Sequence, residues 1–209
     1  PGEIYDANRF ILRGLLAQPW VEIIDLGSCV DKPSRLRAIF QAAAARADVI
    51  ISAGGISVGD EDHVVDAFQI CGGKLWVRKV AIKPGKPLVL GKMADALYIG
   101  LPGNPGALFT TFKVIIEKIV SARAGIRPGG DDEHAAIALF NWRGRPGRTT
   151  YLPAVQRGDA HGVPLIDLLP DANSGKLHQL SRATGFVVIA PDIEAIACGD
   201  KVRWLPLGG

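Results

Sequence analysis

The sequence predicts an α/β protein in two parts, a doubly wound and mostly parallel sheet with its helices, followed by a small all-β barrel. In residues 1–128, short apolar segments rich in β-branched residues alternate with segments whose apolar residues recur at helical spacing. Glycine-containing turns follow several of the apolar segments. In residues 129–209, only short strand-like segments remain, separated by Gly, Pro, Asn and Asp. The two ranges are the predicted domains.

Helices are predicted in the first domain from apolar spacing and from the residues at the segment ends. Pro19 closes the first helix, and Ser34 is the candidate N-cap of the second, which contains four consecutive alanines. Pro105 stands in the first turn of the last helix, where a missing N–H costs nothing. The predicted helices cover residues 7–18, 32–47, 63–73 and 104–125.

Strands are predicted from short apolar segments bounded by turn residues. Segment 48–52, DVIIS, is almost wholly apolar, which is typical of a strand buried on both faces of a parallel sheet. The strands predicted in the first domain are residues 21–27, 48–52, 74–82, 87–91 and 96–103. A change to Pro, paired Gly and acidic residues at 126–134 indicates the boundary between the domains. The strands predicted in the second domain are residues 135–140, 149–156, 164–169, 185–190 and 201–207.

Composition excludes several classes of protein and site. No stretch of the 209 residues approaches the roughly 20 apolar residues of a membrane helix, and PGEIYDANRF lacks the features of a secretory signal. The net charge of +3 does not indicate a nucleic-acid partner. The three cysteines and four histidines lack metal-ligand spacing, which argues against a zinc site and fits a reducing cytoplasm. Because the chain begins at Pro1, we expect a piece of a longer protein.

Three glycine-rich turns follow predicted strands, at residues 52–60, 83–87 and 101–106. Strand ends converge at one edge of a parallel sheet, so turns distant in sequence can form one pocket. Glycine allows the backbone to approach a ligand, and backbone N–H groups with a helix N-terminus suit an anion. The alternative, that Gly and Pro only punctuate loops, is less favoured for three such turns.

A basic segment accompanies the second glycine turn. It contains Lys74, Arg78, Lys79, Lys83 and Lys86, and no acidic residue lies between Lys74 and Asp95. If 74–82 is one strand, alternation places Lys79 and Lys83 on the same side. Fixed cations beside glycine turns suit phosphate or another oxyanion. The alternative is an exposed edge strand that lysines protect from pairing.

Carboxylates adjoin the first glycine turn. Asp60, Glu61 and Asp62 end it, and Asp31 follows an earlier strand and its loop. A hard cation such as Mg²⁺ binds one or two carboxylates together with substrate phosphates. Acidic residues at a helix start also stabilise its dipole, which is the favoured role for Asp60 and Glu61 but not for Asp62.

Several motifs, taken in order and spacing, resemble those of the molybdopterin molybdenumtransferase family, whose eukaryotic relatives include the gephyrin E domain. In the first domain they are GEIYDANR (2–9), SAGGISVGDED (52–62), KVAIKPGKPLVLGK (79–92) and GLPGNP (100–105). In the second they are GRTTYLPAVQRG (147–158), SGKLHQLSRATGFVVIA (174–190) and CGDKVRWLPL (198–207). The resemblance covers nearly the whole chain.

The resemblance implies a transferase of molybdenum cofactor biosynthesis, acting in the cytoplasm as a homodimer. Its substrates would be molybdate and adenylylated molybdopterin, and Mg²⁺ would assist release of AMP. By position in the motifs, Asp62 and Asp31 would be catalytic, with Asp62 also binding the metal. The implied substrate-binding residues are Gly54, Gly55, Ser57, Gly59, Lys79, Lys83, Lys86, Pro102, Gly103, Asn104 and Pro105.

The chain departs from the family pattern at Ala107, Pro153 and Gln179, where a hydroxyl, a cation and a second hydroxyl are usual. These positions are those the resemblance assigns to molybdate, so we expect pterin binding to persist and molybdate handling to be weakened. A pterin- or nucleotide-binding module or scaffold without catalysis is the alternative. The related domain of nicotinamide-nucleotide amidases fits less well, because of the predicted barrel.

The resemblance also implies that two further domains precede GEIYDANR and contribute to a site formed across the dimer. Binding without turnover is therefore expected of this chain alone.

Overall fold

The computed structural model describes residues 6–30, 32–56, 63–127, 133–169 and 180–208. The chain divides into two compact units. The first unit contains Pro1–Val80 and Gly85–Phe112, and the second contains Ala81–Pro84 and Lys113–Gly209. The predicted domain boundary after residue 128 lies outside the described residues and stays a prediction.

The first half of the chain contains both helices and strands. In chain order they are α1 (Ala7–Leu15), α2 (Pro33–Ala44), β1 (Val49–Ala53), α3 (His63–Ile70), β2 (Lys74–Lys79), β3 (Ile82–Lys83), β4 (Pro87–Met93), β5 (Ala96–Leu101), α4 (Pro105–Thr111), a π-helical segment (Phe112–Ile116) and α5 (Glu117–Arg123). The single helix predicted over 104–125 is thus interrupted by a π-helical segment. Asn104 caps its start, since its side chain accepts a hydrogen bond from the Ala107 amide.

The first unit contains a four-stranded sheet in the order β1-β5-β4-β2. The α/β class is confirmed. Parallel pairing is limited to β1 and β5, because β4 and β5 are joined by a two-residue turn and pair antiparallel, as do β2 and β4. The described sheet is therefore mixed. Parallel neighbours β1 and β5 place the turn after β1 beside the turn after β5.

The strand predicted over residues 21–27 is wrong, since no ladder pairing includes them in the described structure. Asp25 accepts hydrogen bonds from the Gly27 amide and from Arg9 of α1. Ile23 and Leu26 are exposed, so the apolar pattern that indicated a strand is not buried there.

Three aromatic rings pack against one another in the core of the first unit. Phe68 of α3 stacks on Tyr98 of β5 with ring centroids 4.3 Å apart, and Phe40 of α2 meets both rings edge-on. Gly91 of β4 makes room for this packing, because a Cβ there would lie 3.1 Å from the Phe68 ring and 2.6 Å from the Lys74 carbonyl oxygen.

The second unit contains α5 and, from residue 134 on, the strands of the predicted barrel. Its strands are β6 (His134–Ala138), β7 (Trp142–Arg143), β8 (Thr149–Ala160), β9 (Val163–Leu168), β10 (Gly185–Ile189), β11 (Ala195–Ile196) and β12 (Lys201–Pro206). Pairing runs β10-β12-β6-β9-β8 and returns from β8 to β10, which closes a five-stranded barrel. Fully buried Ala136, Ile166 and Val187 belong to its core. β7 and β11 pair with each other.

The continuous strand predicted over 74–82 is also wrong. β2 ends at Lys79, and β3 pairs in parallel with β8 of the second unit. The chain thus leaves one sheet and joins another within a few residues.

Candidate functional site

Two of the three predicted glycine turns lie together in the first unit. The Gly54 amide after β1 donates to the Leu101 carbonyl at the end of β5, at 2.9 Å. A Cβ built on Gly103 would lie 3.4 Å from the Cα of Gly54. The backbones of the two turns therefore lie close together, with room for no more than van der Waals contact between a Cβ on Gly103 and the Cα of Gly54.

The first turn requires glycine for its backbone conformation. Gly54 and Gly55 have φ angles of +83° and +67°, in the left-handed region that other residues rarely adopt. A Cβ on Gly55 would also collide with the Val64 side chain of α3. Gly55 and Gly103 are exposed, so ligand access to this backbone is open.

The turn after β5, predicted at residues 101–106, is fixed by a residue that sequence analysis did not assign. Asn8 of α1 is buried, and its Nδ2 donates to the Gly103 carbonyl at 2.8 Å. Asn8 belongs to the GEIYDANR motif, but no pattern in the sequence distinguishes a buried Asn on α1 from an exposed one. Pro102 is buried, whereas Asn104 is exposed and Pro105 begins α4.

The predicted cations fall into different units. Lys79 ends β2 opposite Pro87, and the Val80 amide donates to the Lys86 carbonyl at 3.0 Å, which brings the backbones at Lys79 and Lys86 close together in the first unit. Both side chains are exposed and have no ion pair within the described residues. Lys83 lies in β3, opposite Thr150, and belongs to the second unit. The argument that alternation along one strand pairs Lys79 with Lys83 is therefore wrong.

The predicted catalytic and metal-binding residues, Asp31 and Asp62, lie outside the described residues. So do the predicted substrate-binding residues Ser57 and Gly59, and Asp60 and Glu61, which were assigned to a helix start. Among the residues that are described, no three potential metal ligands of the His, Cys, Asp and Glu types come together. The roles of these carboxylates and of Mg²⁺ stay predictions.

Two of the three departures from the family pattern can be located. Ala107 is buried in the first turn of α4, where Asn104 binds its amide. Pro153 is buried in β8 opposite Phe186. Pairing of β8 with β3 ends at Thr150 and pairing with β9 begins at Ala154, so this stretch of the described barrel accommodates a residue without an N–H. Gln179 lies outside the described residues.

None of the described helices is long and apolar enough to cross a lipid bilayer.

Comparison with protein families gives two matches. Residues 1–122 match the family described as "Probable molybdopterin binding domain". Residues 135–207 match the family described as "MoeA C-terminal region (domain IV)".

Comparison with individual proteins gives relatives about twice as long. The chain is 37% identical to the molybdopterin molybdenumtransferase of Haemophilus influenzae over 98% of its own length and 51% of the relative's. The corresponding protein of a Nostoc species is also 37% identical, over 99% of this chain and 48% of the relative. The chain thus spans about half the length of these relatives.

The fold is similar to that of a crystal structure of a molybdopterin biosynthesis moeA protein from Pyrococcus horikoshii. The TM-score is 0.81 at 27% identity, covering 100% of this chain and 50% of the other. The chain therefore has a fold similar to that of half of this protein.

Proposed function

This chain belongs to the family of probable molybdopterin-binding domains, and from that membership we propose that its paired glycine turns bind adenylylated molybdopterin during molybdenum insertion. The observation that carries the proposal is the close approach of Gly54 and Gly103, at the ends of the parallel strands β1 and β5. Ligand sites of open α/β sheets lie at the carboxyl ends of strands, where these turns are.

The chemistry of the turns suits a phosphate-bearing ligand. The Gly54 amide is bonded to the Leu101 carbonyl, so the anion would be bound by the amide of exposed Gly55, since left-handed turns present backbone N–H groups in anion-binding concavities. Lys79 and Lys86 add fixed positive charge in the same unit, with no neutralising partner among the described residues. The turn after β5 contains Pro102, Asn104 and Pro105, and the last two of these begin α4. Ser57 and Gly59, which lie outside the described residues, complete the proposed substrate-binding set, and a role for Lys83 of the second unit stays a prediction from the resemblance.

The proposed reaction transfers molybdate to the pterin and releases AMP. Asp62 and Asp31 are the carboxylates we assign to catalysis, and Asp62 is also assigned to Mg²⁺. Hard oxygen donors of this kind suit Mg²⁺, which would neutralise phosphate charge when bound. The proposal includes a homodimer, a cytoplasmic location and no nucleic-acid partner.

The test is AMP release by the protein in its full length, supplied with adenylylated molybdopterin, Mg²⁺ and molybdate. We expect release that depends on all three, and we expect Asp62→Asn to abolish it. No release from the wild-type protein would contradict the transferase function. Release that survives Asp62→Asn would leave the function standing and overturn the role of Asp62.

A second candidate, a pterin- or nucleotide-binding module without catalysis, is favoured by the departures at Ala107 and Pro153. Neither position presents a hydroxyl or a cation, and both are buried in the structure. Loss of a charge-assisted hydrogen bond to an oxyanion costs on the order of 1.5–3 kcal/mol. We therefore propose that molybdate is bound more weakly than in relatives with Ser and Arg at these positions.

Calorimetric titration of the full-length protein with molybdate tests that proposal. We expect a lower molybdate affinity than in a molybdopterin molybdenumtransferase that has Ser and Arg at the two positions. Equal affinity in the two proteins would contradict the proposal. Binding of adenylylated molybdopterin without AMP release would identify the module.

A further inference from the structure

Asn8 has a position that packing alone does not explain. It lies on α1 and is 9% exposed. Its Nδ2 donates to the Gly103 carbonyl at 2.8 Å, across 95 positions of sequence. Its Oδ1 is buried and accepts no hydrogen bond from the described residues.

A buried acceptor without a donor is destabilising, because it has lost its bonds to water. An apolar side chain of similar size, such as Leu, would avoid that cost at position 8. What Leu cannot supply is the N–H group that the Gly103 carbonyl receives. The amide of Asn8 is therefore retained at a cost to stability, in a bond directed at one of the two glycine turns.

The Gly103 carbonyl lies at the junction of three contacts. Its own turn approaches the backbone of Gly54, whose amide is bonded to Leu101. The next residue, Asn104, caps α4 through the Ala107 amide. An anchor on Gly103 thus restrains both the spacing of the turns and the start of the helix.

We propose that Asn8 is a positioning residue of the ligand site, which fixes the separation of the two glycine turns through Gly103. The identity of the ligand rests on the proposed function, but the positioning does not. Binding groups must be held within about 0.5 Å of their productive geometry, and residues behind the site supply that restraint. Asn8 acts without touching the ligand.

Amide hydrogen exchange in the ligand-free chain tests the positioning directly. In Asn8→Leu we expect exchange at Gly54 and Ala107 to accelerate about tenfold or more, since each is bonded beside the released turn. The Leu97 amide, bonded to Asp48 at the opposite end of β5, should keep its wild-type rate. Unchanged rates at Gly54 and Ala107, or equal acceleration at all three amides, would overturn the proposal.

Binding of adenylylated molybdopterin to the full-length protein supplies the functional measurement. We expect Asn8→Leu and the isosteric Asn8→Asp to weaken binding about tenfold, because neither keeps the N–H donor. The matched control is Asn141→Leu, which removes an Asn bonded to the Cys198 amide in the second unit and should leave affinity unchanged. Wild-type affinity in Asn8→Leu would overturn the positioning role. If the wild-type protein does not bind the ligand, the proposed function fails, and the exchange rates still decide the role of Asn8.

Discussion

Thr110 and Thr111 of α4 are fully buried, and their hydroxyls have no partner among the described residues. They are the last two residues of α4, before the π-helical segment. An unsatisfied buried hydroxyl loses hydration without compensation. These threonines are therefore places where the fold carries a cost that a change of residue can remove.

Thr111→Val should leave the free energy of unfolding unchanged or raise it by about 1 kcal/mol, because Val has nearly the same shape and no hydroxyl to satisfy. Urea denaturation of the chain measures the change. The matched control is Thr150→Val, since the buried Thr150 hydroxyl donates to the Arg148 carbonyl at 3.4 Å. The control should be destabilised relative to Thr111→Val. A larger loss in Thr111→Val than in the control would contradict the expectation.

For single residues, prediction from sequence succeeded where a residue type is strongly preferred in one backbone conformation, as glycine is in left-handed turns. Gly54 and Gly55 were expected in a turn, and their positive φ angles account for glycine there. Asn8 was not assigned, because the contact that matters is made to a residue 95 positions away. The roles of Asp62 and of the other predicted site residues that lie outside the described residues stay predictions.

Among the elements, β4 packs closely against α3 because Gly91 of β4 has no side chain. Gly91 lies in β4 where a Cβ would meet the Lys74 carbonyl at 2.6 Å and the ring of Phe68 at 3.1 Å. The backbone oxygen cannot move aside without disturbing the pairing of β2 with β4. The aromatic core of the first unit thus depends on this glycine.

Gly91→Ala should lower the free energy of unfolding by about 1–3 kcal/mol, the usual cost of overpacking a core. Urea denaturation measures it. Gly158→Ala in β8 is the matched control, because Gly158 is also a strand glycine but has no atom within 4 Å of its would-be Cβ. Equal stability of the two variants would show that the contacts at Gly91 do not limit packing.

The segment after α1 is tied to that helix by an ion pair. Arg9 Nε lies 2.9 Å from Asp25 Oδ2. This hydrogen bond, then the Gly27 amide and the charges of Arg9 and Arg13, lower the pKa of Asp25 below its ordinary value of 3.8. A carboxyl with a lowered pKa in the folded state stabilises that state above its unfolded pKa, and the contribution is lost as pH falls through the folded value.

The urea midpoint of the wild-type chain should therefore exceed that of Asp25→Asn near neutral pH, and the two should converge as pH falls below 3.8. High salt should reduce the difference, because the pair is exposed. A difference that is constant from neutral pH to pH 3 would contradict the ion-pair origin.

For most segments, the local sequence pattern predicted correctly whether the segment is a helix or a strand. It did not predict which strands pair with each other. Residues 21–27 have a strand pattern and no ladder in the described structure, and 74–82 divides between two units. Sheet membership depends on contacts far along the chain, which apolar alternation does not record.

For the whole molecule, the α/β unit followed by a barrel was predictable because the change of pattern after residue 126 is strong. The mixed direction of the sheet was not, since it depends on the short connection between β4 and β5. The same limit applies to the site. Sequence placed the glycine turns at strand ends, and the structure brings two of them together through the parallel pair β1 and β5.

Equilibrium binding of adenylylated molybdopterin to this chain, measured by calorimetry in two glycine variants, decides whether the paired turns form the pterin site. Gly54 and Gly162 have φ angles of +83° and +81°, so Ala strains the backbone alike at both. Gly162 lies in the turn between β8 and β9 of the barrel. We predict that the wild-type chain and Gly162→Ala bind with equal affinity, and that Gly54→Ala binds at least about tenfold more weakly. Equal affinity of Gly54→Ala and Gly162→Ala, or no binding by the wild-type chain, would contradict the assignment of this site.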